Sequence, residues 1–300
     1  MVATGTVAYL SASASIWPQP HASMDNAAYH AHSAVSKSHL DLIARSPLHY
    51  WSRYLDPDRV AQEPSPQMRL GTALHTHVLE LSRWDQEIAV APPMDRRTKA
   101  GKESWAAFEA DAAGKTVITA DDAAQVMAMG RAVLRHPAAA LLLGMEGKAE
   151  TTHMWTDEAT GLECKCRPDW LTDNGSIVVD LKTTKDASPR GFKQSVANYR
   201  YHVQAAWYLH GLEQATGKRP DQFIFICVES TAPYAVAVYA ADAEMIERGH
   251  DQAMRDLAKL AVCRAADHWP SYSEQIETLS LPAWMTGATG QQQTTEIETY

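Results

Sequence analysis

The sequence predicts a single α/β (α+β) domain, a central mixed β-sheet flanked by helices with a helical N-terminal part. Three observations predict it. Apolar residues recur at helical spacing up to about residue 143, and the period shortens to that of strands after residue 148. Turn signals at Asp157–Gly161 and Asp173–Gly175 join successive strands tightly enough to make part of the sheet antiparallel. Helices and strands then alternate to residue 266 with no sign of a second apolar core.

The elements follow in order. The first 25 or so residues are rich in Ala, Ser, Thr and Pro, so residues 1–30 are expected to be disordered and the domain to span 31–285. Residues 36–54 read as a short helix, a break at Ser46–Pro47 and an aromatic second helix. A Pro-rich charged loop covers 56–67, and a helix over 69–81 carries Leu70, Leu74, Val78 and Leu81 on one stripe. Residues 98–112 and 120–143 are helical, with Asp121 a plausible cap of the second and Pro137 interrupting it. Strands are expected at 149–156, 162–171 and 176–182, helices at 189–197 and 199–216, strands at 222–229 and 234–240, and a long helix over 241–266. The end, 286–300, reads as a flexible acidic tail.

Composition excludes several function classes. Lys plus Arg is 27 against 36 Asp plus Glu, a formal charge of −9 in 300 residues. That balance argues against a general nucleic-acid coat, where a basic surface supplies most of the affinity, but not against a local basic groove. The four cysteines, Cys164, Cys166, Cys227 and Cys263, form no C-x-x-C pair. A cysteine-bound zinc or iron–sulfur cluster is therefore not expected, nor a disulfide scaffold, and a reducing cytoplasm is the simpler setting. No apolar run approaches the ~18 residues of a membrane span, and no basic-then-apolar secretory leader opens the chain.

The segment most informative for chemistry is SIVVDLKTT, 176–184. An apolar run typical of a buried strand ends in Asp180, Leu181, Lys182. Alternation along a strand puts Asp180 and Lys182 on one face and Leu181 on the other. A carboxylate beside an ammonium at a buried strand end suits phosphodiester hydrolysis, the first binding a divalent metal and the second orienting water or steadying phosphate charge. Acid-x-Lys is weak alone: Glu146–Lys148 and Glu163–Lys165 match too, and a surface ion pair is the ordinary reading. Only the third has a buried-strand setting. Asp169, in CRPDW, is brought near Asp180 if a hairpin joins their strands, giving a hard-cation site with oxygen ligands. Otherwise it is a strand-end turn former. Glu150, expected to open the strand before, is a third acid or an exposed one. His75, on the helix of GTALHTHVLE, lies near the apolar stripe; a packed or solvated histidine is the commoner case. Gln204 and Tyr208 share a helix face at i and i+4, for phosphate or base contact or for ordinary packing.

In this order GTALH (71–75), Glu150, RPD (167–169), DLKT (180–183) and Q-x-x-x-Y (204–208) resemble the RecB-like branch of the PD-(D/E)xK nucleases, most closely the RecE-type exonucleases of phages and prophages (the exonuclease VIII C-terminal nuclease domain). SKSHLDLIARSPLHYW resembles the opening helix of that family, and the likeness covers about 35–270. It implies the PD-(D/E)xK nuclease fold and Mg²⁺-dependent exonuclease action on linear duplex DNA, 5′ to 3′, leaving 3′ single-stranded overhangs for strand-annealing recombination; Mn²⁺ would substitute. It makes Asp169, Asp180 and the Leu181 carbonyl metal ligands, with Glu150 and His75 as further candidates. Lys182 becomes the catalytic lysine, assisted by Asp180, His75 and Glu150, and Gln204 and Tyr208 contact DNA. The helicase motifs and the cysteine cluster of some relatives are both lacking, so neither ATP nor an iron–sulfur cluster is expected. Implied partners are double-stranded DNA ends, a single-strand annealing protein and further copies in a ring-shaped trimer or tetramer, away from membranes, in the cytoplasm of a bacterial host. Another nuclease on this fold, Cas4-like or structure-specific, and a non-catalytic DNA-binding module are the competing readings.

Charge is distributed to suit this. Residues 164–202 hold seven Lys/Arg against four acids, whereas four bases face ten acids after residue 240. Lys185 and Arg190 in the first segment, and Arg96 and Arg97 in a second basic stretch, are candidate DNA contacts; a solvated loop is the bland alternative for the latter pair.

Overall fold

A computed structural model describes residues 24–60 and 63–281; the expected N-terminal segment up to residue 23 and the 286–300 tail lie outside them. The N-terminal part is helical: α1 (Asn26–Ala31), α2 (Lys37–Arg45) and α3 (Pro47–Tyr54). Helix α1 falls largely within the stretch expected to be disordered. Contacts from far along the chain hold it: the Lys165 ammonium donates to the carbonyls of Tyr29 and His32, and Arg167 to that of Met24. Ser46 accepts from the His49 N–H and so starts α3, with Pro47 in a position that needs no N–H partner. The next helix, α4 (Pro66–Leu79), begins at Pro66 and not at residue 69, because Ser65 caps it in the same way.

A 3₁₀ turn (Leu81–Arg83) and α5 (Trp84–Glu87) lead to β1 (Ile88–Val90), paired in parallel with β2 (Thr116–Ile118) on the far side of α6 (Lys99–Asp111). Thr119, and not Asp121, caps α7 (Ala120–Arg135): its hydroxyl accepts from the Asp122 N–H while the Asp122 carboxylate accepts from the Thr119 N–H. Pro137 opens α8 (Pro137–Leu143), bent 91° from α7. Among the described residues no single helix is long and apolar enough to cross a membrane.

Two expected strands each divide. Residues 149–156 become β3 (Gly147–Ala149) and β4 (His153–Thr156), because Glu150 adopts a left-handed backbone, φ +51°, that ends the extended run. Residues 162–171 become β5 (Glu163–Cys166) and β6 (Trp170–Thr172), split at Pro168, which has no N–H for a ladder. Then come β7 (Ile177–Thr184), α9 (Pro189–Asn198), α10 (Tyr201–Thr216), β8 (Gln222–Glu229), β9 (Val236–Ala240) and α11 (Ala243–Ala266).

The central sheet has the order β3-β6-β7-β8-β9; β7 and β8 are parallel and the other pairs antiparallel, so it is mixed, as expected. Strands β4 and β5 form a separate antiparallel pair. Val178, Phe223, Phe225 and Cys227 join one buried cluster with residues of α10 and α11; Val179, Leu181, Ile224, Ile226 and Val228 join another with residues of α4 and α7. Covering both faces explains the near-continuous apolar runs of β7 and β8. The β6–β7 hairpin turns through Gly175 at φ +67°, where a side chain would be strained. Its register ends at Trp170 opposite Val179, so beyond Val179 this edge of β7 has no ladder partner.

One buried group ties the N-terminal part to pH. His39 is stacked on Tyr54 at 3.9 Å, and its Nδ1 accepts the Ser36 N–H at 3.1 Å, which requires an unprotonated nitrogen. Burial, reinforced by Lys165 and Arg264, pushes its pKa down to about 3. Between the usual imidazole value and that figure the unfolded chain binds a proton that the folded chain refuses. Stability from His39 is therefore complete above pH ~6.5 and falls with pH by up to about 1.4 kcal/mol per unit. Urea midpoints measured from pH 7 to 5 should decline, and His39→Gln should remove part of that slope. An unchanged slope in the variant refutes the assignment.

Candidate active site

Asp180 is fully buried on β7. Its Oδ1 accepts from the Gln204 amide at 2.6 Å, and its Oδ2 stands 2.6 Å from the Lys182 ammonium. The ammonium is the charge partner of this buried Oδ2, which Gln204 leaves to it. Lys182 shares the Asp180 face as the strand period requires, and Leu181 turns to the opposite core. Asp169 comes from the bend before β6, one step beyond the Trp170–Val179 pair. Its Oδ2 accepts the Leu181 N–H at 2.7 Å and lies 2.8 Å from His75 Nε2. In an extended residue N–H and C=O lie on the same edge, so the Leu181 carbonyl faces the Asp169 side too.

His75 reaches the sheet from α4, one turn after Gly71. Its Nδ1 faces the Gly71 carbonyl at 2.8 Å and its Nε2 the Asp169 carboxylate, both acceptors, so each ring nitrogen donates a proton and the ring is an imidazolium. Glu150 lies on the bend after β3 and does not open a strand. Its left-handed backbone, uncommon for a residue with a side chain, is held from both sides. The Glu150 N–H donates to the Asp169 carbonyl at 3.2 Å. Arg167 Nε donates to the Glu150 carbonyl at 3.0 Å and pairs with its carboxylate at 3.1 Å.

Electrostatics bind the group together. Burial raises the Asp180 carboxyl to about 6; Lys182 opposes this and Asp169 adds to it. Burial and the Asp169 charge carry Glu150 to about 7 against His75 and Arg167. Asp169 itself is held below the carboxylate range: burial would raise it, but His75, Lys182 and the Leu181 N–H outweigh that. Burial would lower His75, yet the Asp169 charge and hydrogen bond take it up to about 9. Lys182 is likewise raised by Asp180 and Asp169 in spite of burial. Three acids thus crowd one buried spot that has cations set against it.

A cleft of about 500 Å³ opens onto this spot, lined by Gly71, His75, Glu150, Arg167, Lys182 and Tyr208 among others, with Asn26, Tyr29 and His30 of α1 at one side. Six of the expected site residues therefore come together with Gln204 behind them: His75, Glu150, Asp169, Asp180, Lys182 and Tyr208. The Gln204 amide is directed at Asp180. Arg96, Arg97, Lys185 and Arg190 are exposed and line no part of the cleft. Arg96 lies over the Trp105 ring at 3.2 Å, and Arg97 pairs with Asp95 at 3.0 Å. Sequence reasoning missed Arg167 as the partner of Glu150, although it stands within RPD. It also missed Tyr201, whose ring centroid is 5.0 Å from the Lys182 ammonium and which lies three residues before Gln204.

Among the described residues no three His, Cys, Asp or Glu side chains form a ready-made metal cage. The donor chemistry nevertheless suits a hard divalent cation. Two carboxylates and a carbonyl are what Mg²⁺ takes from a protein when it keeps several waters, and the buried Asp169 and Asp180 carboxylates meet here with the Leu181 carbonyl on the same edge.

A family model described as "PDDEXK-like domain of unknown function (DUF3799)" matches residues 36–282. No curated protein matches the chain. Among solved structures, a "Putative exonuclease" from Eubacterium rectale is similar at 14% identity and TM-score 0.58, over 85% of this chain and 93% of that one. A phage-related exonuclease from Haemophilus somnus matches at 11% identity and TM-score 0.32, over 59% of this chain and 91% of that one. At these identities the first likeness speaks for the fold alone, and the second is too distant to argue from.

Proposed function

We propose, from the premise that this chain belongs to the DUF3799 family of PDDEXK-like domains, that it is a divalent-metal-dependent deoxyribonuclease acting on the ends of linear duplex DNA. The observation that carries the reading is the meeting of Asp169, Asp180 and Lys182 where β7 runs past its ladder partner and faces a cleft. Asp169, Asp180 and the Leu181 carbonyl would hold Mg²⁺, with Glu150 and His75 beside them; Mn²⁺ is expected to substitute. When bound, such an ion supplies positive charge to the phosphate and makes a bound water more acidic. Lys182, fixed by Asp180, orients the attacking water and offsets charge on phosphorus oxygens. His75 holds Asp169 in place. Arg167 holds Glu150 toward the cleft, and Tyr208 forms part of its wall.

The finer reading follows from resemblance: 5′-to-3′ degradation leaving 3′ overhangs, a single-strand annealing partner, a ring of three or four copies and work in a bacterial cytoplasm for phage-type recombination. With Mg²⁺ present, end-labelled linear duplex should be degraded and closed circular duplex spared. Cutting of closed circles would replace the exonuclease reading with an endonuclease one, and no release from linear ends would overturn hydrolysis altogether.

Gln204 offers a test of positioning. Its amide gives Asp180 Oδ1 its hydrogen bond, and groups that orient a ligand are commonly worth about 10–100-fold in metal affinity or rate. Gln204→Leu should lower the rate by about that factor and raise the Mg²⁺ concentration for half-maximal rate, while Gln204→Glu at low pH or excess Mg²⁺ should restore part of it. Loss of rate with an unmoved Mg²⁺ requirement points to a packing role instead.

A further inference from the structure

Next to the catalytic cleft lies a second cavity, of about 840 Å³, within the size range of ligand sites. Arg53, Arg59 and Arg264 line it, with His30 and His32 and the half-buried ring of Tyr54; among the described residues no carboxylate lines it. His30 of α1 also lines the catalytic cleft, so the two cavities adjoin across that short helix.

The two sites handle their arginines differently. In the cleft, Arg83 is paired with Glu80 and Glu87, and Arg167 with Glu150. In the second cavity, Arg59 donates to the Asp56 carbonyl and Arg264 to the Tyr50 hydroxyl. None of Arg53, Arg59 and Arg264 forms an ion pair with a carboxylate among the described residues. Three uncompensated guanidinium groups in one concavity are an unusual use of charge in a chain of net charge −9. Guanidinium matches phosphate in shape and charge, and an aromatic ring within a basic groove is the usual means of holding single-stranded nucleic acid.

We propose that this cavity binds single-stranded DNA, the arginines on its phosphates and Tyr54 against a base, as a holding site beyond α1 for a strand leaving or entering the catalytic cleft. The proposal rests on the reading of that cleft as a nuclease site. An acidic peptide would also satisfy the arginines, but neither the Tyr54 ring nor the adjoining phosphodiesterase cleft gives it a reason to be there.

The test is binding without cleavage. The full chain is titrated in EDTA against fluorescein-labelled oligo(dT), followed by anisotropy at several salt concentrations. Arg53 and Arg59 are exposed, so Arg53→Glu/Arg59→Glu spares the core, and the milder Arg53→Gln serves if the double variant misfolds. Wild type should bind. The double variant should bind about tenfold or more weakly, with the slope of log affinity against log salt smaller by about 1.4, or about 0.7 for each lost phosphate contact. Unchanged affinity and slope in the variant overturn the proposal. So does failure of wild type to bind, or displacement by poly(glutamate) as effective as by unlabelled oligo(dT). No step depends on hydrolysis: a wild type that binds oligo(dT) through these arginines but degrades no duplex refutes the nuclease reading alone, and active enzyme with unaltered variant binding refutes the holding site alone.

Discussion

Asp180→Asn should reduce Mg²⁺-dependent nucleotide release from linear duplex DNA by about 10³-fold or more while leaving the chain folded. The substitution exchanges one oxygen for an amide nitrogen, so volume is conserved and the remaining oxygen still accepts from Gln204. What disappears is the negative charge. Asp180 is buried at 0% exposure, with Lys182 on one oxygen and Asp169 across the hairpin, and its pKa is already raised to about 6. A group under that strain is retained where a cation satisfies it, and its neutralisation removes both a metal ligand and the anchor of Lys182. Nucleotide release and circular dichroism measured together check the expectation. A folded variant retaining a tenth or more of wild-type activity would remove Asp180 from the site and leave the nuclease reading without its carrier.

The same strand shows why so much of the site was legible. Ile177–Val179 is an apolar run followed by acid, Leu, Lys, and strand alternation alone separates Leu181 from its neighbours. The Asp173–Gly175 turn then places the preceding strand antiparallel, which brings Asp169 to Asp180. Local rules sufficed because both carboxylates belong to one hairpin. They failed at Glu150, where a single left-handed residue sends β3 and β4 to different sheets, since its conformation is held by Arg167 and Asp169 and by nothing local. They failed at α1 for a similar reason, because the Lys165 and Arg167 side chains that hold it are more than a hundred positions away. The three-residue strands β1 and β2 are too short to show a period. Arg96 and Arg97, read from their basic run as a surface for DNA, stay exposed outside the cleft, one guanidinium over Trp105 and the other beside Asp95.

Gly249→Ala should be among the most destabilising single-methyl changes in the chain, because it separates the helix that holds the site from the helix that supports it. A Cβ built at Gly249 of α11 meets the His202 carbonyl oxygen of α10 at 2.1 Å and its carbon at 2.6 Å. These are backbone atoms and cannot swing aside, so α10 must move, and α10 carries Tyr201, Gln204 and Tyr208. Overpacking of this kind costs about 3 kcal/mol, which lowers Tm by roughly 5–10 °C in a domain of this size. Gly71→Ala gives the contrast. A Cβ there has nothing within 4 Å, and alanine in a helix interior is favoured over glycine by about 0.5–1 kcal/mol. That variant should be slightly more stable, yet its methyl stands in the wall of the catalytic cleft, one turn before His75, and should slow DNA hydrolysis. Thermal melts and nucleotide release on both variants test the pair. Opposite shifts in Tm would assign Gly249 to helix packing and Gly71 to keeping the cleft open, whereas a Gly249→Ala protein that melts with wild type would show that α10 and α11 part at little cost.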